Sequence, residues 1–206
     1  MSVHNHHTRL EAFCDGVFAI AATLLIIEIK VPSAHEIHSN QDLYHALLKA
    51  WPSWVAFFLS FITILISWVN HSHFLKLLDK TSAQFTYANG LLLLTIIILP
   101  FPTAAVGAFI QTDYAQPAIS LYCLVFLINN IAWMAIIFSG IPLRKSSVNM
   151  DKINANIRYV IMGFVLYALT FALSFWFPLT AFSIVALTYV GWLILGISIR
   201  GIEAAD

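Results

Sequence analysis

Charged residues are scarce in this sequence. Only 10% of its 206 residues are Asp, Glu, Lys or Arg, whereas 60% are hydrophobic. Soluble domains carry about 25% charged residues, and a soluble fold has too little interior to bury so much apolar surface. The formal net charge is zero at pH 7, so charge gives no reason to expect nucleic acid as a partner. The composition predicts a protein whose solvent is lipid.

The sequence also lacks the patterns that catalysis and metal binding use. It contains no Ser-His-Asp set, HExxH motif, phosphate-binding glycine loop or adjacent carboxylate pair. Its two cysteines, Cys14 and Cys123, lie in apolar stretches and suggest neither a disulfide framework nor a zinc site. The TVGYG filter and the arginine-rich voltage-sensing helix of other channels are absent too. We therefore predict no enzyme activity, no cofactor and no bound metal.

Six apolar stretches are long enough to cross the membrane, which takes about 20 helical residues each. We predict an all-α polytopic membrane protein in which residues 1–206 form one six-helix domain. The helices are predicted at about 9–31, 52–78, 85–110, 118–138, 157–177 and 180–200. Pro100 and Pro102 predict a kink or break in the third helix, because proline has no backbone N–H to donate. The connection at about 31–50 is predicted to be a solvated loop.

Lysine and arginine predict the orientation, because cytosolic loops are enriched in both. With the N-terminus inside, eight of the ten basic residues are cytosolic: Arg9, Lys76, Lys80, Arg144, Lys145, Lys152, Arg158 and Arg200. Lys30 and Lys49 are the two outside. Both termini are therefore predicted to be cytosolic, which agrees with an even number of crossings.

Polar residues inside the predicted helices are few and therefore informative. Asp15 lies about one turn inside the cytosolic boundary, where an unpaired carboxylate would cost several kcal/mol or take up a proton. We predict that the Trp68 indole or His71 satisfies it, with Arg9 nearby. Such a network usually holds helices together without doing chemistry. Asn129 and Asn130 predict at least one hydrogen bond to a neighbouring helix.

The first helix carries a stripe formed by Gly16, Ile20, Thr23, Leu24 and Ile27. At about 100° per residue these side chains share one side of the helix, and Asp15 lies about 140° from Ile20. Periodicity alone favours lipid contact or ordinary helix packing for this stripe.

The same helix resembles the signature of a known family. Arg9-x-x-x-Phe13-Cys14-Asp15-Gly16 is similar to the R-x-x-x-F-S-D-G signature in the first helix of the endolysosomal potassium-channel family. Trp68 and His71, with Phe74 after them, resemble its second-helix motif, and Leu99-Pro-Phe-Pro-Thr103 resembles its third-helix proline motif. The resemblance points to the prokaryotic branch, which has one six-helix unit per chain.

The resemblance implies a channel that conducts potassium, or monovalent cations with weak selectivity. It implies a homotetramer in the prokaryotic plasma membrane, with four first helices around the pore. Ile20 matches the family's hydrophobic constriction, and Thr23, Leu24 and Ile27 match further pore-lining positions. Arg9, Phe13, Cys14, Asp15, Trp68 and His71 match the structural signature. Cys14 departs from the family serine, and a thiol is the weaker hydrogen-bonding group.

Two other functions remain open from the residues. One is a proton pathway or ion-coupled secondary transporter that uses Asp15 and His71. The channel is favoured over it because no carboxylate lies at mid-membrane, where a coupled transporter would bind its ion. The other is a membrane-embedded scaffold without a pore.

Overall fold

The chain folds into a succession of helices. The computed structural model describes the backbone of residues 3–203 and the side chains of residues 8–151 and 153–194. Within that part the α-helices are α1 (Val3–Leu24), α2 (Asn40–Lys49), α3 (Trp51–Lys76), α4 (Ala83–Ile98), α5 (Pro100–Phe109), α6 (Ala115–Gly140), α7 (Met150–Leu173) and α8 (Pro178–Glu203). The side chains of Lys152 and Arg200, which entered the prediction of orientation, lie outside the described residues.

Helix length and composition identify the chain as a polytopic membrane protein. Five stretches are long and apolar enough to cross a bilayer: Thr8–Glu28, Trp51–Lys76, Ala83–Phe109, Ala115–Leu143 and Ile153–Leu173. The part of α8 whose side chains are described, Pro178–Ile194, forms a shorter apolar helix. The prediction of a helical polytopic membrane protein is confirmed.

The third spanning stretch is divided between α4 and α5. Helix α4 ends at Ile98 and α5 begins at Pro100, with Leu99 between them. Pro100 and Pro102 lack the N–H groups that would continue the helical hydrogen bonds, so the ladder is interrupted at this point. The helical hydrogen bonds resume just beyond the prolines, where the Thr103 backbone N–H donates to the Leu99 carbonyl at 3.2 Å and the Thr103 Oγ1 donates to the same carbonyl at 2.7 Å. The break that the two prolines predict is therefore present.

The predicted loop between the first two spanning helices contains a helix that the sequence analysis did not predict. A 3-10 turn (Leu25–Glu28) follows α1, and α2 occupies Asn40–Lys49. Ser39 caps α2, because its Oγ accepts a hydrogen bond from the Asp42 N–H at 3.1 Å. At ten residues, α2 is too short to appear in a search for membrane-spanning stretches.

Helix α6 is the centre of the bundle. It packs against α4, α5, α7 and α8, and its Tyr122 and Phe126 rings contact Phe182 and Tyr189 of α8. Asn129 donates to Thr95 Oγ1 on α4 at 2.7 Å, which confirms the predicted interhelical hydrogen bond. Helix α1 packs mainly against α3 and α4, so it lies at the side of the bundle with one face uncovered.

A short clasp joins the α3–α4 and α6–α7 connections. Asp79 N donates to the Leu143 carbonyl, and Lys145 N donates to the Leu77 carbonyl, both at 2.9 Å. The Lys145 ammonium also donates to the Lys76 carbonyl at 2.8 Å. We call this contact the loop clasp.

Candidate functional site

Helix α1 has one face that is buried in the bundle. Cys14, Phe18, Ala21 and Leu25 are buried, and their spacing of three and four residues places them on one side of a helix. This side packs on α3 and α4. Cys14, which departs from the family serine, is fully buried among apolar neighbours and packs as a small apolar residue.

The predicted stripe lies on the opposite, uncovered face of α1. The exposed fractions are 62% for Ile20, 45% for Leu24 and 68% for Ile27. Thr23 and Gly16 are exposed with them, as is Phe13. These apolar side chains make no pore within one chain, but they offer a continuous surface for lipid or for other copies of the chain.

Thr23 presents oxygen lone pairs to this surface. Its Oγ1 lies 2.9 Å from the Ile20 carbonyl and 3.1 Å from the Ala19 carbonyl, to which it donates. A hydroxyl has a single hydrogen and two acceptor lone pairs. Because the hydrogen is directed into the helix, the oxygen lone pairs remain available at this surface.

Asp15 is held by α3. The Trp68 indole Nε1 donates to Asp15 Oδ1 at 2.8 Å, which is one of the two partners that the sequence predicted. Arg9 is exposed near the start of α1. The Asp15–Trp68 hydrogen bond ties α1 to α3 at the N-terminal end of the stripe.

His71 is buried one turn further along α3 and has a partner on α4. Its Nε2 lies 2.6 Å from Asn89 Oδ1, and Asn89 Nδ2 donates to the Phe85 carbonyl at 2.7 Å. The His71 ring also contacts Phe18 of α1, with ring centroids 5.6 Å apart. Sequence reasoning missed Asn89, although an asparagine inside an apolar stretch is a sign of a hydrogen bond between helices.

A groove opens at the outer end of the stripe. Its volume is about 480 Å³, and it lies between the end of α1 and the α4–α5 break. The lining residues are Leu24, Ile27, Glu28, Ile97, Ile98, Pro100 and Phe101. Glu28 brings a carboxylate beside the outer end of an otherwise apolar surface, where it attracts cations electrostatically.

The described residues contain no group of three or more His, Cys, Asp or Glu side chains that could hold a metal ion.

Comparison with known proteins matches this chain to channel proteins. The family described as "Endosomal/lysosomal potassium channel TMEM175" matches residues 9–100. A protein of Chamaesiphon minutus named a potassium channel is 40% identical over 81% of this chain and 83% of that relative. A chicken protein named an endosomal/lysosomal proton channel is 36% identical over 62% of this chain and 27% of that longer protein.

The fold has a solved counterpart. The crystal structure of a lysosomal potassium-selective channel TMEM175 homolog from Chamaesiphon minutus superposes with a TM-score of 0.80 at 34% identity. The superposition covers 92% of this chain and 97% of that one. On the strength of these matches in sequence and structure, this chain belongs to the endosomal/lysosomal potassium channel TMEM175 family.

Proposed function

We propose that this chain is the subunit of a potassium channel whose pore is lined by the uncovered face of α1. The observation that carries the proposal is the exposure of Ile20 and Leu24 on α1, whose other face is buried, and of Ile27 on the 3-10 turn that follows. The family is a family of channels, and the chain is not an enzyme. Potassium is the permeant ion, and no cofactor takes part.

The pore requires several copies of the chain. Four copies with their α1 helices around one axis would bring four Ile20 side chains together as a hydrophobic ring. Such a ring stops ions by blocking them if it is narrow, or by dewetting if it is slightly wider. Opening then consists of widening the ring or rotating it away from the axis.

Selectivity in this arrangement rests on the cost of dehydration. Potassium gives up its hydration water at a lower cost than sodium, so a narrow apolar ring favours potassium. The Thr23 lone pairs lie about one turn beyond Ile20 and replace part of the lost water. Glu28 raises the local cation concentration at the outer mouth.

We further propose six membrane crossings, with α8 as the last. Both termini are then cytosolic, and the membrane is the plasma membrane of a prokaryote. The length of α8, Pro178–Glu203, supports this count. An odd number of crossings would leave the termini on opposite sides.

The experiment that tests the pore is ion flux from liposomes containing the purified protein, under opposing potassium and sodium gradients. Replacing Ile20 with Asn makes the ring polar, so it should wet more easily and raise the flux several-fold. Ile161→Asn is the matched control, because it makes the same exchange at an exposed position of α7. Flux that Ile20→Asn leaves unchanged, from intact oligomeric protein, would contradict the pore assignment.

Proton conduction is a second candidate, favoured by the name of the chicken relative. In this chain Asp15 bonds to Trp68 and His71 bonds to Asn89, so each group named for a proton pathway has a partner of its own. A pH-sensitive dye in the same liposomes separates the routes. If protons pass through the pore, the proton flux should rise together with the potassium flux in Ile20→Asn. If protons pass by way of Asp15, Asp15→Asn should abolish the proton flux while the potassium flux persists.

A further inference from the structure

Helix α2 has an apolar side and a polar side. On a helix of about 100° per residue, the apolar side chains Leu43, Leu47, Tyr44 and Leu48 fall within an arc of about 140°. Most polar side chains occupy the opposite arc: Gln41, Asp42, His45 and Lys49. Asn40, the first residue of the helix, is the polar residue that falls within the apolar arc. A helix with this pattern is usually stabilised by an apolar surface along its length.

The described part of the chain leaves the apolar side of α2 largely uncovered. No residue of α2 is buried, and the exposed fractions of Tyr44 and Leu48 are 69% and 71%. The least covered apolar side chains of α2 are therefore those that point away from the bundle.

The depth of α2 follows from its connection to α3. It ends at Lys49, and the spanning stretch begins at Trp51. Two residues of chain reach at most about 7 Å, so the end of α2 lies at the outer boundary of the membrane. Trp51 and Trp54 are exposed there, and tryptophan is enriched at the level of the lipid headgroups.

The turn between α7 and α8 supports the same boundary. Alternation of the spanning helices places this turn on the same side as the start of α3. Phe175 and Trp176 are both exposed in it. Aromatic side chains are therefore exposed at this boundary both beside α2 and at the α7–α8 turn.

We propose that α2 lies along the outer surface of the bilayer, with Tyr44 and Leu48 inserted at the boundary between headgroups and acyl chains. Its partner is the phospholipid surface itself. The segment 30–49 carries two lysines (Lys30, Lys49) and two carboxylates (Glu36, Asp42), so its net charge is zero with neutral histidines. Anchoring therefore depends on apolar burial, and it does not require anionic lipid.

Spin labelling in liposomes tests this placement. A nitroxide is attached at Leu48→Cys on the apolar side and, as the matched control, at Lys49→Cys on the polar side. Wild-type protein treated with the same spin label measures the background from the native cysteines. We expect this background to be low, because Cys14 and Cys123 are both buried. Accessibility to oxygen, which concentrates in lipid, is compared with accessibility to a water-soluble nickel chelate. The comparison is made in zwitterionic vesicles and in vesicles containing anionic lipid.

The proposal expects the Leu48→Cys label to be accessible to oxygen and protected from nickel, and the Lys49→Cys label to show the reverse, in both vesicle types. Nickel accessibility at both positions would place α2 in water and overturn the proposal. Protection of the Leu48→Cys label from both reagents would overturn it as well, because a protein surface, such as a second copy, would then cover α2. A requirement for anionic lipid would refute the apolar basis of the anchoring.

Discussion

At the scale of single residues, the Thr23 hydroxyl is the most informative side chain of the stripe. Its hydrogen is committed to the carbonyls of Ile20 and Ala19, so only its lone pairs are available to a permeant ion. We predict that Thr23→Val, which keeps the shape and removes the oxygen, lowers the ratio of potassium to sodium permeability. The reversal potential under opposing gradients measures this ratio. Thr23→Ser keeps the oxygen and should stay close to wild type. Equal ratios in all three proteins would refute the role of Thr23.

The polar contacts between helices show how far residue-level prediction reaches. The Asp15–Trp68 hydrogen bond could be anticipated, because both side chains lie at the same depth and a carboxylate in the membrane needs a donor. The partner of His71 could not be anticipated in the same way. Asn89 stands alone in an apolar stretch, and the sequence does not show which helix its amide faces.

At the scale of elements, α2 contains a titratable cap. Hydrogen bonds from the Ser39 side chain and then from the His38 backbone N–H lower the pKa of Asp42 from its ordinary 3.8. A lowered pKa means that the ionised form stabilises the folded helix. That contribution is complete above pH 3.8 and is lost as the pH falls through the lowered pKa.

We therefore predict that the amide protons of α2 lose protection from hydrogen exchange in this acid range. Asp42→Asn is the control, because its amide does not titrate. It should show no such step once the exchange rates are corrected for pH. An equal loss of protection in both proteins would mean that other groups control the unfolding of α2.

The helices differ in how well the sequence predicts their positions. The long apolar stretches indicate their helices directly, and the two prolines indicate the break between α4 and α5. The end of α1 is harder to predict, because hydrophobic residues recur as far as Val31, interrupted by Glu28 and Lys30, while the α-helix ends at Leu24 and a 3-10 turn follows. Hydropathy reports which residues are in lipid, but it does not report where one type of helix changes into another.

At the scale of the whole molecule, the pore proposal predicts a close approach of identical residues from different copies. An Ile20→Cys variant should form disulfide-linked dimers under mild oxidation in the membrane, because cysteines of the ring would face one another across the axis. Ile161→Cys on α7 should remain monomeric on a denaturing gel. The buried Cys14 and Cys123 should leave wild type without cross-links. Cross-linking that is no greater at Ile20→Cys than at Ile161→Cys would contradict the axial position of α1.

Assembly is the level at which sequence and single-chain structure are least informative. Either lipid or a second copy of the chain would bury the apolar side chains of the uncovered stripe. The single-chain structure of α1 is therefore the same for both partners. The resemblance at Arg9, Phe13 and Asp15 supplied the tetramer as an expectation. Only a measurement on several copies decides it.

The loop clasp has a consequence for anyone who engineers this protein. Short connections between helices are common places to insert a fluorescent domain or an epitope, because surface loops usually tolerate added residues. Here the backbone groups of Leu77, Asp79 and Lys145 hold the two connections together. An insertion at either connection would therefore disturb the hydrogen bonds that join the α3–α4 and α6–α7 hairpins. The outer connection at 111–114, between α5 and α6, is the better site for such a tag.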